Sequence, residues 1–193
     1  MGYKNKVNIQ SILEIKKATC ICYGVQDTIY GKMVLFYTAE GIYGLHFLIG
    51  PLADYLGLAK KKFKKAVFLQ DQQGALHWWD KVRAGGCVNL VLQGTPFQQK
   101  VWRVLCDIPM GGLTTYEALA MALGMGTGSS RAVARAIAQN FIALFVPCHR
   151  VVRKDASIGG YRWGVNNKRM LIAHEASIAN LQELACRKVH RPA

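Results

Sequence analysis

The chain changes character at Gly94, and this change limits the kinds of fold that it can adopt. Before Gly94, residues typical of strands dominate the runs TCICYG, KMVLFYTAE, GIYGLHFLIG and CVNLVLQG, whereas ALHWWDKVRA has a helical pattern. After Gly94, apolar residues recur at the spacing of one helix face. The sequence therefore predicts an α/β (α+β) protein with a first domain at residues 1–93, a second at 94–180, and a basic, poorly ordered tail at 181–193.

The second domain opens with a helix start on which three signals agree. Thr95 can cap the helix, Pro96 suits the first helical position, and Gln98 completes a capping box. Apolar residues then recur four positions apart, as they do on one side of a helix. We therefore expect a helix that ends near Pro109.

Similar signals predict two further helices. Thr114 and Glu117 form a capping box at the start of TYEALAMAL, which ends at Gly124. The loop GMGTGSS then leads into RAVARAIAQN, a helix that Ser130 can cap. Two short helices joined by a small turn are typical of a helix-turn-helix, although many helical hairpins bind nothing.

The charge of the chain favours a polyanionic partner. Lys and Arg number 25 against 11 Asp and Glu, so the net charge is +14, and a protein that neutralises phosphates gains from the release of counterions. A soluble basic protein without such a partner fits the charge equally well. A basic cluster is expected to be a solvated surface with no site: Lys60, Lys61, Lys62, Lys64 and Lys65.

Other features bear on location and cofactors. No apolar run is long enough to span a membrane and the N-terminal residues have no apolar signal core, so we expect a reduced, cytoplasmic protein. A monomer is also expected. The six cysteines are irregularly spaced. Cys20 and Cys22 are too close for the usual pair of zinc ligands, so neither a structural zinc nor another cofactor is expected.

One cysteine stands at the end of an apolar run. FIALFV, which follows Asn140, is too short for an ordinary helix and predicts a buried extended segment that ends at Pro147-Cys148-His149-Arg150. A thiol becomes a good nucleophile when it loses its proton, and a neighbouring His or Arg lowers its pKa. Cys148 is therefore a candidate nucleophile, although most lone cysteines are small buried residues.

The residues around Cys148 resemble a known active-site signature. PCHRVV, with NFIALFV before it and GGYRWG after it, is similar to the signature of the 6-O-alkylguanine-DNA alkyltransferases, or methylated-DNA–protein-cysteine methyltransferases. The resemblance runs from GTPFQQKVW through TTYEALA and SRAVARAIAQN to LIAHEA, about residues 94–177. It implies a ribonuclease H-like domain followed by a winged helix-turn-helix domain. It also implies repair of double-stranded DNA, in which the alkyl group of 6-O-alkylguanine moves once and irreversibly to a cysteine.

The resemblance assigns a chemical role to five residues. Cys148 corresponds to the alkyl acceptor, and His149 to the base that removes the thiol proton through a water. Glu175 corresponds to the acidic partner that orients this histidine. Asn140 corresponds to the residue that braces the segment bearing the cysteine, and Tyr116 to the phenol that contacts the nucleotide and can donate a proton to guanine.

The resemblance also implies how DNA is held. The alkylated oxygen lies in a stacked, paired base, so the nucleotide must leave the duplex. Arg131 corresponds to the side chain that takes the place of the extruded base and offsets part of the cost. Ser130, Arg135 and Tyr116 are expected to contact DNA. Trp163 is expected to narrow the substrate pocket against groups much larger than methyl. The residues expected to line this pocket are Tyr161, Arg162, Trp163 and Val151.

Two other functions fit part of the pattern. A DNA-binding module without catalysis, either a winged-helix regulator or a non-catalytic alkyltransferase-like protein, has the same helices and charge, but the non-catalytic relatives lack the acceptor cysteine. A thiol hydrolase could use Cys148, His149 and Glu175. That function leaves Arg131 and the basic charge without a purpose.

Overall fold

The computed structural model describes residues 7–12 and 19–189, and the first half of this chain forms a six-stranded mixed sheet. Its strands are β1 (Val7–Ile12), β2 (Cys20–Thr28), β3 (Gly31–Tyr37), β4 (Ile42–Phe47), β5 (Val67–Gln70) and β6 (Val88–Gln93). They lie in the order β1-β6-β4-β3-β2-β5. β2, β3 and β4 form an antiparallel meander, β5 pairs in parallel with β2, and β6 pairs in parallel with β1 and β4. The strands predicted in the four β-rich runs are confirmed.

Two helices pack on the sheet: α1 (Leu52–Lys62) and α2 (Gln72–Arg83), the latter as predicted. The Asp71 carboxylate caps α2 by accepting from the Gly74 N–H at 2.9 Å, and it also accepts from the Tyr37 hydroxyl at 2.8 Å. Because Tyr37 belongs to β3, the cap fixes the helix to the sheet. A Cβ atom at Gly24 of β2 would lie 2.5 Å from the Cβ of Ala75, so only glycine permits this close packing.

The second half is mainly helical. Its elements are α3 (Pro96–Cys106), β7 (Thr114–Thr115), α4 (Tyr116–Ala122), α5 (Ser130–Ala138), β8 (Val151–Val152) and α6 (Val165–Val189). The predicted capping box of α3 is confirmed, with hydrogen bonds of 3.0 and 3.2 Å between Thr95 and Gln98. Trp102 of α3 donates from Nε1 to the Ala136 carbonyl at 2.8 Å, which joins α3 to α5. β7 and β8 pair in parallel.

The predicted cap of α4 is wrong by one residue. Oγ1 of Thr115, rather than that of Thr114, accepts from the Ala118 N–H at 3.0 Å. Thr114 is instead held in β7, so the chain leaves the strand one residue later than the sequence suggests. The Glu117 carboxylate does not complete a capping box and lies 3.0 Å from the Lys154 ammonium.

The predicted cap of α5 is also wrong. Ser130 is the first residue of the helix, and Ser129 before it makes no side-chain cap hydrogen bond. The segment Thr127–Ser129 forms a turn of 3-10 helix that runs directly into α5. Ser129 therefore has a helical backbone instead of the extended one from which a side chain caps a helix.

The run FIALFV is buried, as predicted, but the prediction that it is extended is wrong. Ile142 forms a parallel bridge with Leu45 of β4, and the residues after it turn. Leu144 adopts a positive φ of 63°, which is rare for a branched side chain and requires support from its surroundings. The turn brings the residues at the two ends of the segment, Asn140 and Cys148, into contact.

Helix α6 continues to Val189, so the predicted tail is wrong over residues 181–189. The sequence of α6 contains neither Gly nor Pro and is rich in Ala, Leu, Glu and Lys, which favour a helix. Residues 190–193 lie outside the described residues. Within the described part of the chain, no helix combines the length and the apolar character needed to cross a membrane.

Lys62, at the end of α1, joins the two halves of the chain. Its ammonium donates to the Gln93 carbonyl at 2.9 Å and lies 5.7 Å and 5.6 Å from the ring centres of Trp102 and Phe141. Burial and then the charge of Arg162 lower its pKa to about 8. The prediction of a solvated cluster is therefore wrong for Lys62, although its four neighbours in the cluster are exposed.

Candidate active site

Cys148 lies beside a cavity in the second half of the chain. The residue is only 3% exposed and begins a turn of 3-10 helix directly after Pro147. The cavity has a volume of about 500 Å³. Side chains from α4, α5 and the loop before α6 line it with Cys148: Tyr116, Ser130, Arg131, Arg153, Tyr161 and Arg162. The predicted acceptor thus lies where a flat organic group can reach it.

Asn140 holds the segment that bears the cysteine. Its Nδ2 donates to the carbonyls of Ile142 and Val146, at 3.1 and 2.9 Å, and lies 3.1 Å from the Cys148 sulfur. Its Oδ1 accepts from the Ile142 N–H at 2.9 Å. The side chain is buried, so an apolar replacement would leave these backbone groups without partners. One amide therefore closes the turn and fixes the sulfur.

Glu175 of α6 binds both residues that follow Cys148. Its Oε1 lies 2.9 Å from His149 Nε2, and Arg150 donates from Nε and Nη2 to the two carboxylate oxygens at 2.8 and 2.7 Å. Burial alone would raise the pKa of Glu175, but the hydrogen bonds from His149 and Arg150 outweigh it and lower the pKa to about 2. The carboxylate is therefore ionised throughout the neutral range.

The pairing with Glu175 sets the tautomer of His149. An ionised carboxylate only accepts, so Nε2 carries the hydrogen and Nδ1 keeps a free lone pair. Burial lowers the pKa of His149, although Glu175 opposes this effect, so the ring is neutral. Nδ1 is buried and has no hydrogen-bond partner in the part of the chain that the structure describes. His149 is thus arranged to accept one proton.

The resting Cys148 is a thiol and not a thiolate. Burial raises its pKa to about 11, against the hydrogen bond from Asn140 and the charge of Lys168, which lower it. The expectation that the neighbouring His149 and Arg150 lower the pKa of the resting thiol is therefore wrong. Arg150 directs its guanidinium to Glu175, so deprotonation of the sulfur requires a base at the moment of reaction.

Sequence reasoning missed Lys168, which is completely buried beneath the loop at residues 158–164, part of which lines the cavity. Its ammonium donates to the carbonyls of Val151 and Ile158, each at 2.6 Å, and lies 3.5 Å from that of Gly160. Burial lowers its pKa to about 8, and the nearby Cys148 opposes this shift. A signal did exist, because Lys168 lies seven residues before Glu175 and so shares its face of α6.

Replacing Lys168 with methionine is expected to loosen this loop. Loss of the ammonium leaves buried carbonyls without a donor, so the free energy of unfolding should fall by about 2 to 4 kcal/mol. Urea denaturation measures this change. Lys154→Met is the matched control, since Lys154 is exposed and its ion pair with Glu117 contributes little. Equal stability of the two variants would contradict the role of Lys168.

Two residues expected to line the pocket, Trp163 and Val151, lie outside its lining. The expectation that Trp163 narrows the pocket is wrong, since its indole is buried and donates from Nε1 to His46 Nδ1 at 2.9 Å. Val151 is also buried outside the cavity lining, because its backbone is held in β8. Arg135 is exposed on α5, one turn after Arg131, and does not line the cavity. Tyr116, Ser130, Arg131, Tyr161 and Arg162 do line it.

The cysteines of the first half are free thiols. Cys20 is exposed and Cys22 is half-buried, two positions apart on β2. Among the described residues, no group of three or more His, Cys, Asp or Glu side chains could hold a metal ion. A cofactor-free site stays a prediction.

Comparison with known proteins identifies the family. Residues 96–177 match the model of the DNA-binding domain of 6-O-methylguanine DNA methyltransferase. The crystal structure of Mycobacterium tuberculosis OGT in complex with DNA is 31% identical, with a TM-score of 0.64 over 81% of this chain and 93% of that one. The chain belongs to the 6-O-methylguanine-DNA methyltransferase family. The methyltransferase of Pyrococcus kodakaraensis has the same overall fold, with a TM-score of 0.65 and 27% identity over 79% of this chain and 98% of that one.

Curated members of the family match this chain over part of their length. The regulatory protein Ada of Salmonella typhimurium is 36% identical over 163 residues, which are 80% of this chain and 45% of that protein. The methylated-DNA–protein-cysteine methyltransferase of Mycobacterium tuberculosis is 45% identical over 92 residues, 48% of this chain and 55% of that one. The chain thus spans about half the length of these two relatives, and the family resemblance of its motifs is confirmed.

Proposed function

We propose that this protein repairs alkylated DNA by moving the alkyl group of 6-O-methylguanine in double-stranded DNA irreversibly to Cys148. The observation that carries the proposal is the site itself: a braced thiol beside a cavity, followed by a histidine that Glu175 orients. The new bond joins the Cys148 sulfur to the methyl carbon, and the bond from that carbon to the guanine oxygen breaks. The guanine keeps the electron pair of that bond and takes up one proton, so a methyl group and a proton exchange places between the base and the sulfur. A thioether offers no easy leaving group, so each molecule reacts once.

His149 supplies the base. Its free Nδ1 accepts the thiol proton, through a water, as the sulfur attacks, and Glu175 stabilises the imidazolium that results. The raised pKa of Cys148 keeps the thiol unreactive until an alkylated base occupies the cavity. The Cys148 thiol, which can react only once, is thus protected from other alkylating or oxidising molecules.

Tyr116 assists the leaving guanine. Burial and then the nearby Cys148 raise the pKa of its phenol, so the hydroxyl keeps its proton and is a hydrogen-bond donor in the cavity. Donation to guanine stabilises the negative charge that develops as the bond to carbon breaks. The phenol of Tyr161 lines the same wall, and burial raises its pKa well above the usual value.

The helices α4 and α5 present the reacting site to DNA. Arg131 lies in the first turn of α5, is exposed, and lines the cavity. It is therefore placed to fill the gap that an extruded nucleotide leaves, which offsets part of a cost of a few kcal/mol. Ser130 and Arg135 flank it on the same helix and contact the phosphates, and the net charge of +14 attracts the duplex.

Replacing Arg131 with alanine should slow repair of duplex DNA by about tenfold or more, because extrusion of the base is no longer offset. Single-turnover transfer from a duplex carrying 6-O-methylguanine measures the rate. Transfer from a short single-stranded oligonucleotide is the control, since its target base is already accessible. An equal loss on both substrates would contradict the role in extrusion.

We also propose a fold type for each of the two domains. The meander of β2, β3 and β4 with parallel β5 and its helices supports a ribonuclease H-like domain at residues 1–93. The bundle of α3, α4 and α5 with the small β7–β8 sheet supports a winged helix-turn-helix domain at residues 94–180. The cytoplasmic location and the monomeric state stay predictions.

Duplex DNA with a radiolabelled methyl group on 6-O-methylguanine tests the proposed function. We expect one equivalent of label on each protein molecule and no further release of label after that. Label that leaves the DNA catalytically would support a thiol hydrolase instead. Tight binding without any transfer would support a DNA-binding module.

A further inference from the structure

A hydrogen bond links the first half of the chain to the loop at residues 158–164. Trp163 donates from Nε1 to His46 Nδ1 at 2.9 Å, across 117 positions of sequence. Both side chains are almost completely buried, at 2% and 1% exposure. Trp163 directly follows Tyr161 and Arg162, which line the cavity around Cys148. The bond therefore fixes the chain directly after Tyr161 and Arg162, which form one wall of the cavity.

Two glycines with positive φ stand near the ends of the loop, so its position depends on contacts made by its other residues. Gly159 and Gly164 both adopt positive φ, of 67° and 87°, so no ordinary side chain restricts the backbone at either end. Lys168 holds the first end through the carbonyls of Ile158 and Gly160. At the second end, the side chain of Trp163 is bound to β4 through the bond from its Nε1.

A second cavity lies beside the loop, on the side of His46. It has a volume of about 340 Å³ and is lined by Tyr55, Arg162, Trp163 and His46. Arg162 lines both this cavity and the one beside Cys148. Without the bond to His46, we expect the loop to move into this space and to displace Tyr161 and Arg162, which line the active-site cavity.

We propose that His46 is a positioning residue for alkyl transfer, which acts through Trp163 to hold Tyr161 and Arg162 against the substrate. This inference rests on the proposed function. His46 is suited to the task because β4 is itself fixed to the active-site segment: Leu45 exchanges backbone hydrogen bonds with Phe141 and Ala143, at 2.9 and 2.8 Å. Leu45 and His46, which are adjacent in β4, thus hold the segment that leads to Cys148 and the loop that bears Tyr161 and Arg162.

The charge state of His46 supports the direction of the bond. Burial, then the charges of Arg162 and Lys62, lower its pKa to about 3, so the ring is neutral. Because Nδ1 accepts from the indole, Nε2 carries the hydrogen. The ring also packs against Phe141, with centroids 4.1 Å apart and planes at 74°, which limits its rotation.

Variants that remove or restore the acceptor test the inference. His46→Leu removes the acceptor, Trp163→Phe removes the donor, and His46→Asn keeps an acceptor close to the place of Nδ1. The exposed His77 on α2 provides the control His77→Leu. Each protein is assayed for methyl transfer from duplex DNA at saturating protein and for its Kd on undamaged duplex. The proteins that keep Trp163 are also assayed for the NMR signal of its indole N–H.

We expect His46→Leu and Trp163→Phe each to lower the transfer rate about tenfold, because a misplaced wall orients the base poorly. The double variant should lose little more than either alone, since both changes break one bond. His46→Asn should keep the transfer rate within about threefold of the wild-type rate and preserve the wild-type position of the Trp163 indole N–H signal. In all of these variants the Kd for undamaged duplex should change less than about twofold, because the α4–α5 surface is intact.

Three results would overturn the inference: an unchanged rate in both Trp163→Phe and His46→Leu, equal losses in His46→Asn and His46→Leu, or a loss explained by weaker DNA binding. If His46→Leu does not fold, Trp163→Phe and His46→Asn still decide between the bond and simple packing. Failure of the wild-type protein to transfer methyl would instead refute the proposed function, while the indole signal would still report on the bond.

Discussion

Replacing Cys148 with serine is expected to abolish alkyl transfer while leaving DNA binding intact. A serine hydroxyl is nearly the same size as the thiol, so the cavity and the brace from Asn140 should survive. The hydroxyl is a far weaker nucleophile, and one neutral histidine does not ionise it sufficiently. The transfer rate from methylated duplex should therefore fall by at least about a thousandfold, and gel-shift titration should give an unchanged Kd.

Cys106→Ser is the matched control for that substitution. Cys106 is half-buried on α3, donates to the Trp102 carbonyl, and has a pKa that burial raises to about 12. It does not line the cavity around Cys148, so its replacement should leave the transfer rate unchanged. Label that still accumulates on Cys148→Ser but disappears in Cys106→Ser would mean that the acceptor has been misassigned.

Replacing Glu175 with alanine should impair both repair and stability. His149 would lose the partner that fixes its tautomer, so we expect the transfer rate to fall by about a hundredfold or more. Arg150 would remain largely buried without its carboxylate, which should cost about 3 to 5 kcal/mol of unfolding free energy. Single-turnover kinetics and urea denaturation measure the two effects. Glu117→Ala, which removes a more exposed acidic group paired with Lys154, should change neither by much.

Acid titration offers a second test of Glu175. Its pKa in the folded protein is about 2, below the ordinary value of 4.5. Its ionised form therefore contributes stability that is fully present above pH 4.5 and is lost as the pH falls toward 2. Glu175→Gln should remove this part of the pH dependence. The same acid sensitivity in the variant and the wild type would show that the ion pairs contribute nothing.

Much of the site was accessible from the sequence because its residues belong to short motifs. PCHRVV places Cys148 next to His149, and the family resemblance of LIAHEA implies that Glu175 is the partner of this histidine. The brace by Asn140 and the cavity positions of Tyr116 and Arg131 agree with the geometry. Local signals also predicted the strands and the capping box of α3, since both depend on neighbouring residues.

The sequence could not show contacts that depend on tertiary packing. His46 and Trp163 lie 117 positions apart, and nothing in their local pattern distinguishes a bonded pair from two core residues. Lys168 looks like a surface lysine until the loop is folded over it. Arg150 lies two positions after Cys148 in the sequence, but its guanidinium binds Glu175. Proximity along the chain therefore predicted a lower thiol pKa, whereas burial raises it.

The identity of the alkylated atom tests the central claim most directly. The purified protein is mixed with excess duplex DNA carrying 6-O-methylguanine, and its intact mass and peptide masses are measured after the reaction stops. We predict that every active molecule gains the mass of one CH₂ group, that the gain maps to the peptide containing Cys148, and that the DNA yields unmodified guanine. A gain on any other residue, or repaired DNA with an unmodified Cys148, would contradict the account.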